Sequence, residues 1–309
     1  MTDTGAPRAV SGQGVLDLTH MTSADELAAI SRLEGVGAAV VPQSLAGAFE
    51  RIPREGVGAV VYVPDGAKVR VHTGPLVVGG EGLGSADDVL VVIGMLIITT
   101  PVSGPVPQRI CVVGSVLAPR GSEHALGPAL GGGVGSVSYY RYTEGQDFKV
   151  LAGQVKLSSA MLANPAGQPE DILIAAGQVV VTGPVSAVNF AQVIVSGQFV
   201  APQASRDLLE PRVQAHGQVA WYRGDEARLI MDDTRLGPDF FRLLDHTVSL
   251  VVLADLVIEP GVTEAALREK VTDIVLFGDL TAPAGLVPVL QVLAADAYGA
   301  IRADDGSGS

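Results

Sequence analysis

The chain has 309 residues, 48% of them hydrophobic and only 17% charged, so there is ample apolar side chain to bury a core and general disorder is excluded. Its net charge of −13 opposes affinity for nucleic-acid phosphates or anionic membrane surfaces, both of which need clustered Lys and Arg. Aromatic residues are scarce at 5% while Gly is abundant at 38 residues, a composition suited to thin, regular β-strand rungs.

From the N-terminus, Met1 to Gly14 is small and polar and reads as a disordered tail. It has no basic segment followed by an apolar stretch, so a cytoplasmic location is expected. Gln43–Ile52 carries an amphipathic pattern with a Ser near the expected N-cap and predicts a short helix, and Ser23–Ile30 predicts a similar one. Val89–Ile98 is the longest apolar run, yet it contains Gly94 and is far shorter than the ~20 residues of a membrane-spanning helix. Val102–Pro107, rich in Pro and Gly, predicts a loop. Cys111 lies in the apolar run Ile110–Val113 and reads as a buried, inert thiol. Ala204–Glu210, again amphipathic with a Ser near the expected N-cap, and Thr263–Lys270 predict further short helices, and Gly285–Ile301 has a helical apolar pattern suited to covering a last rung. Arg302–Ser309 reads as a second disordered tail.

Through this runs a small recurring pattern: two or three β-formers, a Gly, any residue, then an apolar residue. Its glycines at 94, 114, 135, 153, 177, 197 and 217 fall 20, 21, 18, 24, 20 and 20 residues apart, one rung per interval. A longer period of about 80 residues lies on top. Gly94 maps to Gly177 and then Ala254, while Pro42, Pro119, Pro202 and Pro283 each close an equivalent rung. The expected fold is mainly β with short helices: a parallel β-solenoid of about four ~80-residue units. The units are placed at 15–87, 88–170, 171–247 and 248–301, within one continuous solenoid from 15 to 301. Gly at the recurrent position allows a positive φ, a bulge or a close approach between rungs.

Chemistry is harder to find. The five histidines are scattered without metal-ligand spacing, and no nucleophile elbow, phosphate loop or dinucleotide fingerprint occurs. Gly131–Gly135 precedes a strand and reads as a turn. No catalytic, cofactor or metal residue is assigned. Asp225, Glu226, Asp232 and Asp233 form an acidic stretch that reads either as a solvated turn or as a cation or acid-base site of a carbohydrate-active or metal-dependent enzyme. Tyr62, Tyr139, Tyr140, Trp221 and Tyr222, with Tyr142, fall at equivalent rung ends and are expected to align as an aromatic face, either a partner-binding surface or a stacked ladder that supports the fold.

The Val/Ile-rich rungs with regular Gly over 88–220 resemble bacterial polymer-forming β-solenoids such as bactofilins, with a partial likeness to leucine-rich-repeat solenoids in the interposed helices. No leucine-rich-repeat Asn ladder is seen, and no functional residue transfers. The resemblance implies a scaffold that assembles end to end. The expected function is therefore a non-enzymatic structural protein that self-associates through solenoid ends or edges, the alternative being a solenoid that recognises another protein through the aromatic face. Neither reading involves a cofactor, nucleic acid or membrane insertion.

Overall fold

The computed structural model describes residues 8–131 and 135–304. The protein is mainly β with short helices, and its strands pair in parallel throughout the named sheets. It comprises two compact units, Met1–Glu144 and Gly145–Ser309. That division falls inside the 88–170 repeat expected from sequence.

In the first unit, three successive rungs form two small parallel sheets. Arg8–Ser11, Ile30–Glu34 and Arg54–Glu55 make one; Val15–Asp17, Ala38–Pro42 and Ala59–Val63 make the other. A second block follows in the same unit as one sheet, with Lys68–Thr73 and Leu76–Val78 on Asp88–Ile98, then Arg109–Pro119, then Ser136–Tyr140. The second unit begins with a similar block: Phe148–Leu157, Ile172–Val181 and Gln192–Pro202, closed by Val213–Ala215 and Val219–Tyr222. It ends with two four-stranded sheets. Ala227–Ile230, Val248–Val252, Val271–Leu276 and Ala294–Ala297 form one; Thr234–Leu236, Leu256–Ile258, Leu280–Ala282 and Ile301–Ala303 form the other.

The strand register follows the glycines. Gly114 pairs with Gly94, Gly153 with Gly177, and Gly177 with Gly197. The later glycine of each pair is forced by close packing: a methyl group on Gly114 would lie 1.9 Å from the Gly94 carbonyl oxygen, and one on Gly197 would lie 2.1 Å from that of Gly177. Both glycines also hold a left-handed φ, near 140°. Strand alternation sends Leu173, Ala175, Val179 and Val181 into the core of their own block. On the opposite face Val180 packs with Val251 and Val275 of the next block. The first unit repeats the arrangement, where Val40, Val61 and Val63 meet Val89, Val91 and Cys111. Each such buried side chain contributes roughly 1.5–3 kcal/mol.

Several expectations are corrected. The strands form six sheets, and among the described residues strand pairing does not run on from the rung ending at 63 to the next in the first unit, nor from the rung ending at 222 to the next in the second, where an uninterrupted run from 15 to 301 was expected. The tails are shorter than expected: Arg8–Ser11 pairs with Ile30–Glu34, and Arg302 and Ala303 belong to a paired strand. The rest of both tails, 1–7 and 305–309, lies outside the described residues. Gly285–Ile301 is not a cap, because its helix ends at Leu293 and the chain goes on to form another rung.

The expected helices are present, but Ser44 and Ser205 do not cap them. Ser44 Oγ donates to Asp65 (2.7 Å), and buried Ser205 Oγ accepts the Val185 N–H (2.7 Å), so each ties its helix to an adjacent rung. Ser122 Oγ does the same with the Val102 N–H (3.2 Å).

Candidate functional site

The aromatic residues do not share one face. Adjacent strand residues point to opposite sides of a sheet, so the pairs Tyr139–Tyr140 and Trp221–Tyr222 are divided. Tyr140 and Tyr222 are fully buried. The Tyr140 hydroxyl donates to the Ile98 carbonyl (2.8 Å) and the Tyr222 hydroxyl to the Val181 carbonyl (2.9 Å), each reaching back two rungs. Burial pushes both phenols well above their ordinary range. These two tyrosines are structural pins and are removed from the expected surface.

Tyr62, Tyr139 and Trp221 remain half-buried, and they stand in three different sheets. Partial burial raises the Tyr62 phenol, with the Glu50 carboxylate it donates to adding to the rise. The same hydrogen bond, then that from Arg54, lowers Glu50. Tyr139 packs against the core of its own block.

Trp221 has the richest surroundings. It meets Phe199 edge to face at 6.0 Å, and the Arg206 guanidinium lies 5.4 Å from the centre of its ring. Arg206 is held there by Glu210 (3.0 Å), which lowers the Glu210 carboxyl and raises Arg206. These residues line a hollow of about 460 Å³ with Val213, Ala215 and Val219. A second hollow, about 380 Å³ and largely apolar, lies at the opposite edge of the same sheet, between Leu151, Leu157, Met161 and Phe190. At its side Lys149 donates to Asn164, a buried residue with a left-handed φ of 44°. The Asn164 amide donates in turn to Asp171 (3.1 Å) and the Asn189 carbonyl (3.2 Å). The two hollows therefore mark where this ladder stops on either side.

Two side-chain ladders escaped the sequence reading. Gln154, Gln178, Gln198 and Gln218, each directly after a column glycine, hydrogen-bond amide to amide at 3.4, 3.0 and 3.0 Å. In the last block Asp233 accepts the Asp255 N–H (3.2 Å), Asp255 the Asp279 N–H (3.0 Å) and Asp279 the Ala300 N–H (2.9 Å). The fourfold Gly-Gln dipeptide was the available signal for the first.

The acidic stretch is dispersed by these contacts. Glu226 faces His246 at 2.8 Å, while Asp233 serves the ladder. Among the described residues no group of three or more His, Cys, Asp or Glu could hold a metal ion. Cys111 is buried as expected, its Sγ donating to the Gly131 carbonyl (3.3 Å), and burial raises its pKa. No helix among the described residues is long and apolar enough to cross a membrane.

No family model, curated protein or solved structure matches the chain.

Proposed function

We propose that this chain is a non-enzymatic scaffold, cytoplasmic and built as a β-solenoid interrupted into blocks, which self-associates through the ends or edges of its ladders. The observation that supports this reading is that, among the described residues, every sheet ends in strands that pair with one other strand only, among them the ten-residue strand Phe148–Leu157. An exposed strand edge carries a row of N–H and C=O groups that templates a further strand. Gly153 opens that edge further, since a methyl group there would meet nothing within 4 Å.

The reading is tested by light scattering and negative-stain microscopy over a wide range of protein concentration. Particles that lengthen as concentration rises support it. A strictly monomeric protein at every concentration contradicts it.

A second reading rests on the hollow around Trp221. A half-buried Trp with an Arg stacked over it is the type of anchor that dominates protein interfaces. In this reading another protein inserts an apolar side chain against Trp221 and Phe199. Retention of a partner that is lost in Trp221→Ala, with the melting temperature unchanged, supports it; retention unaffected by the substitution removes it.

A further inference from the structure

In the first block the second and third glycines of the column are each required by the rung before them. A methyl group on Gly37 would lie 2.6 Å from the Gly14 carbonyl oxygen, and one on Gly58 would lie 2.5 Å from that of Gly37. Neither residue has a positive φ, so close approach alone excludes a side chain. The last block behaves alike: methyl groups on Gly278 and Gly299 would fall 2.1 and 1.9 Å from the carbonyls of Ala254 and Gly278. Gly14 belongs to the same column, yet a methyl group there would meet nothing within 4 Å, and its φ is not positive either. Among the described residues nothing makes use of its being glycine.

The repeat explains what the position is shaped for. One rung before those closed by Pro42, Pro119, Pro202 and Pro283 stand Gly14, Gly94, Gly177 and Ala254. Methyl groups on Gly94 and Gly177 would each meet the carbonyl of a still earlier rung, 2.5 Å from that of Gly74 and 2.3 Å from that of Gly153. The first block has no such rung among the described residues, and Arg8–Ser11 and Val15–Asp17 are each paired on one side only. At the other extreme, no later rung among the described residues follows the one holding Gly299.

We infer that the terminal rung, Ala294–Ala303, of a second copy of this chain stacks in parallel on the rung 8–17, its Gly299 carbonyl nesting against Gly14. The register is the one both blocks already use, Val15 beside Ala38 and Leu280 beside Ile301. It sets Ile301 opposite Leu16, two half-buried residues packed against the cores of their own blocks. It also sets Arg302 opposite Asp17. Arg302 already reaches one rung back to Asp279 (3.0 Å), so rung-to-rung pairing is its habit. The other block-closing rungs would place Val61, Ser138 or Ala220 opposite Asp17 in the same register, and only the terminal rung supplies a cation. Because the two surfaces differ, the contact is heterologous and repeats head to tail, building an open polar filament or a closed ring.

This inference rests on the scaffold reading and specifies its joint. Sedimentation velocity of the full chain is measured over a range of concentration, together with far-UV circular dichroism and melting temperature. The wild type is expected to grow in mass. Gly14→Val is expected to remain monomeric to at least tenfold higher concentration, with unchanged dichroism and melting temperature. Asp17→Arg and Arg302→Asp each weaken growth severalfold, and an equimolar mixture of the two recovers it, since every joint again holds opposite charges. Growth of Gly14→Val equal to that of wild type overturns the joint and leaves the scaffold reading standing. A wild type that stays monomeric overturns both.

Discussion

The two middle blocks and the two outer blocks solve the same stacking problem differently. In the middle, strands such as Asp88–Ile98 and Ile172–Val181 run unbroken through the bend, because Gly94 and Gly177 hold φ of 140° and 123° inside the strand. In the outer blocks each rung is split into two short strands with a gap between them, and Gly37, Gly58, Gly278 and Gly299 lie outside the left-handed region. A gap leaves N–H groups without ladder partners, which carries a cost unless another acceptor is found. In the last block the carboxylates supply it: the N–H groups of Asp255, Asp279 and Ala300, all in gaps, donate to Asp233, Asp255 and Asp279. The middle block of the second unit keeps its backbone ladder and adds the glutamine ladder outside it. Close approach of glycine to the preceding carbonyl is common to both designs; a left-handed φ at that same glycine is not, the first block placing it two residues earlier, at Gly12, Gly35 and Gly56.

Substitutions break this comparison with graded effects. The largest is expected at Gly197→Val, where a side chain meets both the Gly177 carbonyl and a φ of 139°: a loss of about 3–5 kcal/mol in urea denaturation. Gly153→Val has the strained φ of 88° without the clash, and about 1–3 kcal/mol is expected, more than its surface position suggests. Tyr222→Phe removes a buried hydrogen bond to Val181 and costs about 1–1.5 kcal/mol by the same measurement.

Asp255→Ala leaves the Asp279 N–H to water and costs about 1 kcal/mol, as loss of a helix cap does. Hydrogen exchange at Asp279 should quicken while exchange in Ile172–Val181 stays unchanged, which separates the two designs.

The smallest effect is confined to acid. Burial pushes the Asp171 carboxyl up, but hydrogen bonds from the Gln168 N–H, Asn164 and the Asp147 N–H, with the charge of Lys149, together hold it below 3.8. A depressed carboxylate contributes stability that is present above its unfolded pKa and lost as pH falls through the folded value. Asp88, at the equivalent position of the other middle block, is lowered first by the Ser85 N–H. The last block has Val248 there instead. Acid titration below pH 3.8 should therefore loosen the middle blocks, and Asp171→Asn should flatten that limb.

The column glycines and the prolines that close equivalent rungs were legible in the sequence because both respond to local constraints, a close carbonyl and the end of strand pairing. Gly114 over Gly94 and Gly197 over Gly177 are the outcome. The breaks between blocks were not legible. The step from the rung ending at Tyr222 to the one beginning at Ala227 looks like any other, yet among the described residues strand pairing does not continue across it. Nor could spacing reveal the second buried face, since Val180 and Val251 meet through sheet packing between residues distant in sequence. For the candidate site, equivalence in the repeat located Tyr140 and Trp221 correctly within their rungs. Facing was decided by alternation, which buries Tyr140 and Tyr222 and leaves Trp221 beside the hollow.

The account turns on glycine as the seat for a neighbouring rung's carbonyl, and paired denaturation of Gly37→Ala and Gly14→Ala in dilute solution tests it most directly. Gly37→Ala, with a methyl group 2.6 Å from a backbone oxygen, is expected to lose about 2–4 kcal/mol. Gly14→Ala, with open space around it, is expected to show between no change and a gain of about 1 kcal/mol. Equal losses at the two positions would contradict the account.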